Sequence, residues 1–234
     1  MVNLKPLDPY NLTKFYGGRD FSNTTLTTIG FVLKGLTYDI IHVHSAFRFV
    51  KYFKRVYPRK SVVMHFHGED VRLGGWRALR DILDKANLKL VSTIDMLNGA
   101  PKSAHWLPNP IDTGHFKYVP NLRKTGMALY FVKHQRGEDQ SWPKAIAKKY
   151  GLELCLHDRV IHPIAYSELP RFLSSFEYYI DRNYIASLSK TALEALACHL
   201  KVIDSNEEIL DKFPAEHDPA NVVKILWNLY QGIL

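Results

Sequence analysis

Ser189, Lys190, Thr191 and Glu194 stand together in the stretch LSKTALEALACHLKVID (188–204), and their types and spacing suit the binding of a diphosphate. Ser189 predicts the N-cap of a helix whose first turn is Lys190 and Thr191. Such a start leaves backbone N–H groups and the positive end of the helix dipole without intrahelical partners. An anionic diphosphate binds well there. Glu194 falls near the end of the next turn, in reach of the same ligand. A glutamate on a solvated helix face is the other reading of Glu194, although the apolar flank of LEALAC makes exposure less natural.

A second group of chemistry-bearing residues is the set of histidines in DIIHVH (39–44) and VVMHFH (62–67). His65 and His67 are two apart, so on a strand they share one face. Alternate strand histidines can bind zinc, but polar caps on two adjacent buried strands explain the same pattern, and no metal is expected. His67, Asp70 and Asn109 each follow closely on an apolar run. In an open parallel sheet the crevice beyond the carboxyl ends of the strands is where ligand chemistry is expected, so all three qualify by position. For His67 a capped, structural imidazole is the alternative.

The elements that must position these residues are legible as short runs rich in Val, Ile and Leu alternating with helical spacing. In the first half, strands are predicted at 39–44, 62–67 and 88–93, with helices at 47–58 and 76–86 between them. In the second half, strands at 127–133, 152–158, 177–181 and 201–204 alternate with the helical segments PKAIAKKY, SELPRFLSSF and SKTALEALACH. This order implies right-handed βαβ units. The stretch 107–126, with three prolines and two glycines, reads as a link.

With 234 residues and 46% hydrophobic composition, the chain can bury either one large core or two small ones. The formal net charge of +8 favours anionic partners without choosing among them. Cys155 and Cys198 are far apart in no metal-ligand spacing, so two inert thiols in a reducing compartment are expected. No apolar run reaches the length of a membrane span, and a soluble, cytoplasmic chain is expected, with contact at the inner face of the membrane left open. That contact would use FRFVKYFKRVYPRK, whose Lys51, Lys54 and Arg55 alternate with aromatic residues as on helices that lie on anionic bilayers. A core-facing helix with a solvated basic side is the alternative. Nucleic acid is not expected, because the aromatics fall in no recognition-motif pattern.

Four stretches, in order, resemble the retaining GT-B glycosyltransferases, the family often called glycosyl transferases group one. YDIIHVH resembles its early strand, VVMHFHGEDVR its strand ending in a His-Gly turn, LPNPID its step into the second domain, and TALEALACHLKVID its signature around a conserved-type Glu-Ala pair. The resemblance spans roughly residues 17 to 204 and implies an α/β chain of two Rossmann-like domains facing a central cleft. The expected division is an acceptor-side domain over 1–120 and a nucleotide-sugar-binding domain over 121–234. The implied function is metal-independent, retaining transfer of a sugar from a nucleotide-sugar donor to an acceptor hydroxyl, with no cofactor and with a lipid-linked or glycan acceptor.

The resemblance also assigns residues. It implies that Glu194 bonds the ribose hydroxyls, that His67 approaches the transferred sugar, and that Gly17 and Gly18 form the loop that lets a substrate approach the backbone. Basic residues facing the diphosphate come from VKHQRGEDQSWPK, which offers Lys133, Arg136 and Lys144. The chain departs from the family at Ala186, where a first Glu stands eight positions before the second, and at His199, where a Gly follows the Ala-Cys pair. Asp181 is the candidate to replace that first Glu, and the turn at His199 requires a residue with positive φ or a different geometry. Two alternatives follow from these departures: a non-catalytic relative that binds a nucleotide sugar or a partner, and a sugar-nucleotide epimerase.

Overall fold

A computed structural model describes residues 2–3, 19–20, 35–44, 48–132 and 140–234. The chain divides into two compact units, one of Met1–Asn109 with Val222–Leu234 and one of Pro110–Asn221. This division differs from a boundary at 120/121 in two respects: it falls earlier, and the C-terminal residues belong with the first unit. The reason for the first difference is burial. Ile111 and Phe116, in the segment that reads as a link, are core residues of the second unit.

In the first unit, short and largely apolar segments build a parallel sheet of β3 (Ile40–His44), β4 (Ser61–Phe66), β5 (Leu88–Val91) and β6 (Ala104–Trp106), adjacent in that order. Two further short strands, β1 (Val2–Asn3) and β2 (Arg19–Asp20), pair with each other in parallel. All six residues of β4 are buried, as a central strand covered on both faces requires. One face carries Ile41, Val43, Val62, Met64 and Phe66. It packs against Val50 and Phe53 of α1 (Arg48–Val56) and against Val71 of α2 (Glu69–Arg72). The other face carries Val63, Leu88 and Leu90 and is covered by Val222, Ile225 and Leu226 of the last helix, α7 (Pro219–Gln231). The segment 76–86 is a 3-10 turn, Trp76–Leu79, followed by the short helix α3 (Arg80–Leu83), because Leu79 at φ −100°, ψ 2° leaves α geometry.

The basic side of α1 is largely occupied. Lys54 Nζ donates to the Lys60 carbonyl at 2.8 Å and to Asn87 Oδ1 at 2.9 Å, while Lys51 faces Asp81 at 3.5 Å and Arg55 is exposed. Among the described residues, no helix is long and apolar enough to cross a membrane.

In the second unit, β7 (Lys124–Phe131), β8 (Glu153–His157), β9 (Phe176–Ile180) and β10 (Lys201–Ile203) are parallel. The short β11 (Ile209–Leu210) adds an antiparallel edge, and the order across the sheet is β11-β10-β9-β7-β8. The connecting helices are α4 (Ser141–Lys149), α5 (Leu169–Leu173) and α6 (Lys190–Ala197). From β7 the chain steps to β8 on one side and then to β9 on the other. That reversal opens a crevice at the carboxyl ends of β7 and β9, the place where open α/β sheets bind ligands. The start of α6 follows β9 at that end.

Candidate functional site

The start of α6 is assembled by two side chains acting on its first amides. Ser189 is the N-cap, with φ −66° and ψ 156°, and its Oγ accepts from Ala192 N at 3.1 Å. Asp181, the residue after β9, is 1% exposed and accepts from Ser189 N through Oδ2 at 2.9 Å. The capping residue and the third helical residue thus have acceptors, and the N–H groups of Lys190 and Thr191 remain at the helix's positive end. Lys190 is exposed beside them.

Glu194 does not lie on a solvated face. It is 4% exposed, with Lys190 Nζ at 3.7 Å, and burial pushes its carboxyl up to about 7 against the partial compensation of Lys190 and then Arg159. The apolar flank explains this: Leu193, Ala195 and Leu196 belong to the unit's core. Cys198 caps the other end of the helix, buried, with its thiol pushed up to about 12 by burial and by Glu194. Burial also raises Cys155.

His199 takes positive φ, 61°, and the turn closes as a Schellman motif: His199 N donates to Leu196 O at 2.9 Å and Leu200 N to Ala195 O at 3.0 Å. The strain of a non-glycine residue there is met by stacking on Tyr118 at 5.8 Å and by the bond from Arg123 Nη2 to the His199 carbonyl at 2.7 Å.

One basic residue at this edge was not singled out from the sequence. Arg159, two positions past β8, lies over the Phe131 ring at 4.1 Å, at the carboxyl end of β7, and acts electrostatically on both Glu194 and Tyr179. Its signal was its place just beyond a strand. Lys133 and Arg136 lie outside the described residues, as do Gly17 and Gly18.

In the first unit the sheet register gathers the histidines. Parallel pairing sets His44 beside His65, and the two-residue period puts His42 on the same face, toward α7. His67, just past β4, joins them. His44 Nδ1 and His67 Nε2 are 2.8 Å apart, Ser92 Oγ links His65 Nε2 at 3.0 Å with His67 Nδ1 at 2.8 Å, and Tyr230 of α7 meets His42 Nδ1 at 2.5 Å. Burial and the neighbouring imidazoles lower His42 to about 3, His44 to about 4 and His65 to about 2. His67 is also lowered by burial, against the opposing pull of Asp70. All four rings are therefore neutral at neutral pH.

Asp70 shapes the turn that carries His67, accepting from His67 N at 3.2 Å and Gly68 N at 3.0 Å. Gly68, at φ 129°, is required there: a Cβ would fall 2.2 Å from Arg72 Nη1, and Arg72 is held by Asp95 through Nε and Nη2 at 3.0 and 3.1 Å. Asn109, half-buried, closes the first unit before Asp112 caps the next turn through Gly114 N and His115 N.

No protein-family model matches the sequence, and no curated protein does. Solved structures do match. The chain aligns with the crystal structure of accessory secretory protein 1, 2 and 3 in Streptococcus pneumoniae at TM-score 0.57 and 14% identity. That match covers 89% of this chain and 57% of that one. It also aligns with sucrose-phosphate synthase from Thermosynechococcus elongatus at TM-score 0.51 and 14% identity, over 87% of this chain and 69% of that one. The fold is GT-B-like. The chain spans little more than half the length of the first of these structures.

Proposed function

We propose that the chain is a glycosyltransferase that moves a sugar from a nucleotide-sugar donor to an acceptor hydroxyl, retaining the configuration of the sugar and using no metal for the transfer. The observation that carries this reading is the start of α6. A capped helix end, braced by buried Asp181 and flanked by Lys190, Arg159 and Glu194, stands at the crevice end of a parallel sheet.

In the transfer, the bond from the anomeric carbon to the diphosphate breaks, the nucleoside diphosphate leaves with the bonding electron pair, and the acceptor oxygen bonds to that carbon as its proton passes to the departing diphosphate. The charge that develops on the leaving diphosphate is stabilised by the amides of Lys190 and Thr191, by Lys190 and by Arg159. Glu194 accepts from the ribose hydroxyls. Asp181, the candidate to replace the first Glu, positions the helix start through the bond from Ser189 N to its Oδ2. His67, neutral, is assigned to the transferred sugar, and either of its nitrogens must exchange a present partner, Ser92 or His44, to reach it.

A nucleotide-sugar-binding module without turnover is the second reading. Ala186, standing where the resembling family has its sugar-holding Glu, favours it. Incubation with a panel of nucleotide sugars separates the readings. Release of free nucleoside diphosphate supports the transferase, saturable binding without release of any donor supports the module, and recovery of an epimerised sugar overturns both in favour of an epimerase.

A further inference from the structure

The histidines of β3 and β4 carry more than a role in packing. His42 Nε2 and His65 Nδ1 are buried with no hydrogen-bond partner among the described residues. A buried polar nitrogen without a partner is costly, so two such nitrogens on neighbouring rings call for something that satisfies both. Ligand nitrogens of His42, His44 and His65 all lie within 4.8 Å of one another. With Zn–N bonds of about 2.0–2.1 Å, tetrahedral ligands stand about 3.3 Å apart, so closure by about 1.5 Å at most brings the three onto one ion.

We propose that His42, His44 and His65 form a binding site for a divalent transition-metal ion of the zinc class, with one coordination position open to water or an anion. An all-imidazole set selects zinc, copper or nickel over magnesium or calcium, which require oxygen ligands. The outer nitrogen of each ring is already held in the way a metal-bound histidine requires: His42 Nδ1 by Tyr230, His44 Nδ1 by His67 and His65 Nε2 by Ser92.

A single assignment of protons then satisfies every ring. His42 Nδ1–H donates to the Tyr230 oxygen, His44 Nδ1–H to His67 Nε2, and His67 Nδ1–H and His65 Nε2–H both to the Ser92 oxygen. Nε2 of His42, Nε2 of His44 and Nδ1 of His65 are left with their lone pairs for the ion. The site thereby fixes the tautomer of His67 without touching it. The transfer step needs no such ion, so the site stands or falls independently of the proposed function.

The test uses the full chain, stripped of metal with a chelator and titrated with metal alone. Calorimetry is expected to show saturable binding of one Zn2+ per chain and none of Mg2+, and Co2+ is expected to give the intense visible bands of a four-coordinate site. His44→Gln, at an exposed position, and His42→Gln each weaken Zn2+ binding by more than about 10-fold, and Tyr230→Phe by about 10-fold. His105→Gln, on β6, leaves it unchanged. Circular dichroism verifies folding, and should His42→Gln fail to fold, His44→Gln and Tyr230→Phe still decide. Absence of saturable Zn2+ binding overturns the proposal. So does binding that His44→Gln and Tyr230→Phe leave intact, or a six-coordinate Co2+ spectrum.

Discussion

At the scale of single residues, Glu194 combines near-complete burial with a nearby cation, and each property has a measurable consequence. Its carboxyl titrates at about 7 in the folded chain against an ordinary 4.5. Because the folded state holds this proton more tightly, the contribution to stability is fully present below pH 4.5 and is lost as pH rises toward 7. The slope is at most about 1.4 kcal/mol per pH unit. Urea titrations at pH 4.5 to 7.5 should show this decline in the wild type, and Glu194→Gln should flatten it. Arg159→Ala should weaken nucleoside-diphosphate binding by about 1.5–3 kcal/mol, the worth of a hydrogen bond to a charged group. Calorimetry with an unchanged melting temperature would attribute that loss to the ligand rather than to the fold.

Ser189 and Glu194 were legible in the sequence because a capping serine and an apolar helix flank are local signals. Arg159 was not, since its relevance depends on which strand ends share a crevice. The histidines fall between these cases. Their two-residue spacing was visible, but the register that sets His44 beside His65 and the arrival of Tyr230 from a distant helix were not.

At the scale of elements, the His-Gly turn and the two ends of α6 follow from backbone geometry that few residues tolerate. Gly68→Ala should cost about 1–3 kcal/mol, because φ of 129° is strained for any side chain and the new Cβ displaces Arg72 from Asp95. Equilibrium urea denaturation measures it, and a cost near zero would mean that the turn relaxes freely. Ser189→Ala should cost about 1 kcal/mol through loss of the cap to Ala192. The strands of both sheets were readable as buried apolar runs to within a few residues. Strands β6 and β11 were not: β6 is no apolar run, since His105 stands at its centre, and β11 is two residues long. The turn at His199 kept the positive φ that its position demanded, with stacking on Tyr118 in place of a glycine's freedom.

At the scale of the whole molecule, the chain divides between Asn109 and Pro110, at the start of the proline-bearing stretch 107–126, and the rest of that stretch belongs to the second unit. Sequence punctuation marks loops, but a domain boundary is set by which apolar surfaces cover each other, and Ile111 and Phe116 are covered by the second unit. The same principle returns α7 to the first unit, where Val222 and Leu226 close the face of Val63, Leu88 and Leu90. A chain ending at Asn221 should therefore leave that face open. Its first unit should lose cooperative unfolding and bind hydrophobic dyes, while the second unit keeps its own transition.

The central claim is that the start of α6 receives the diphosphate of a nucleotide sugar, and calorimetric titration with a panel of nucleoside diphosphates tests it most directly. The account predicts saturable binding of at least one nucleotide, weakened by both Arg159→Ala and Glu194→Gln and left intact by His67→Ala. Binding to none of the panel, or binding that both Arg159→Ala and Glu194→Gln leave unchanged, would contradict it.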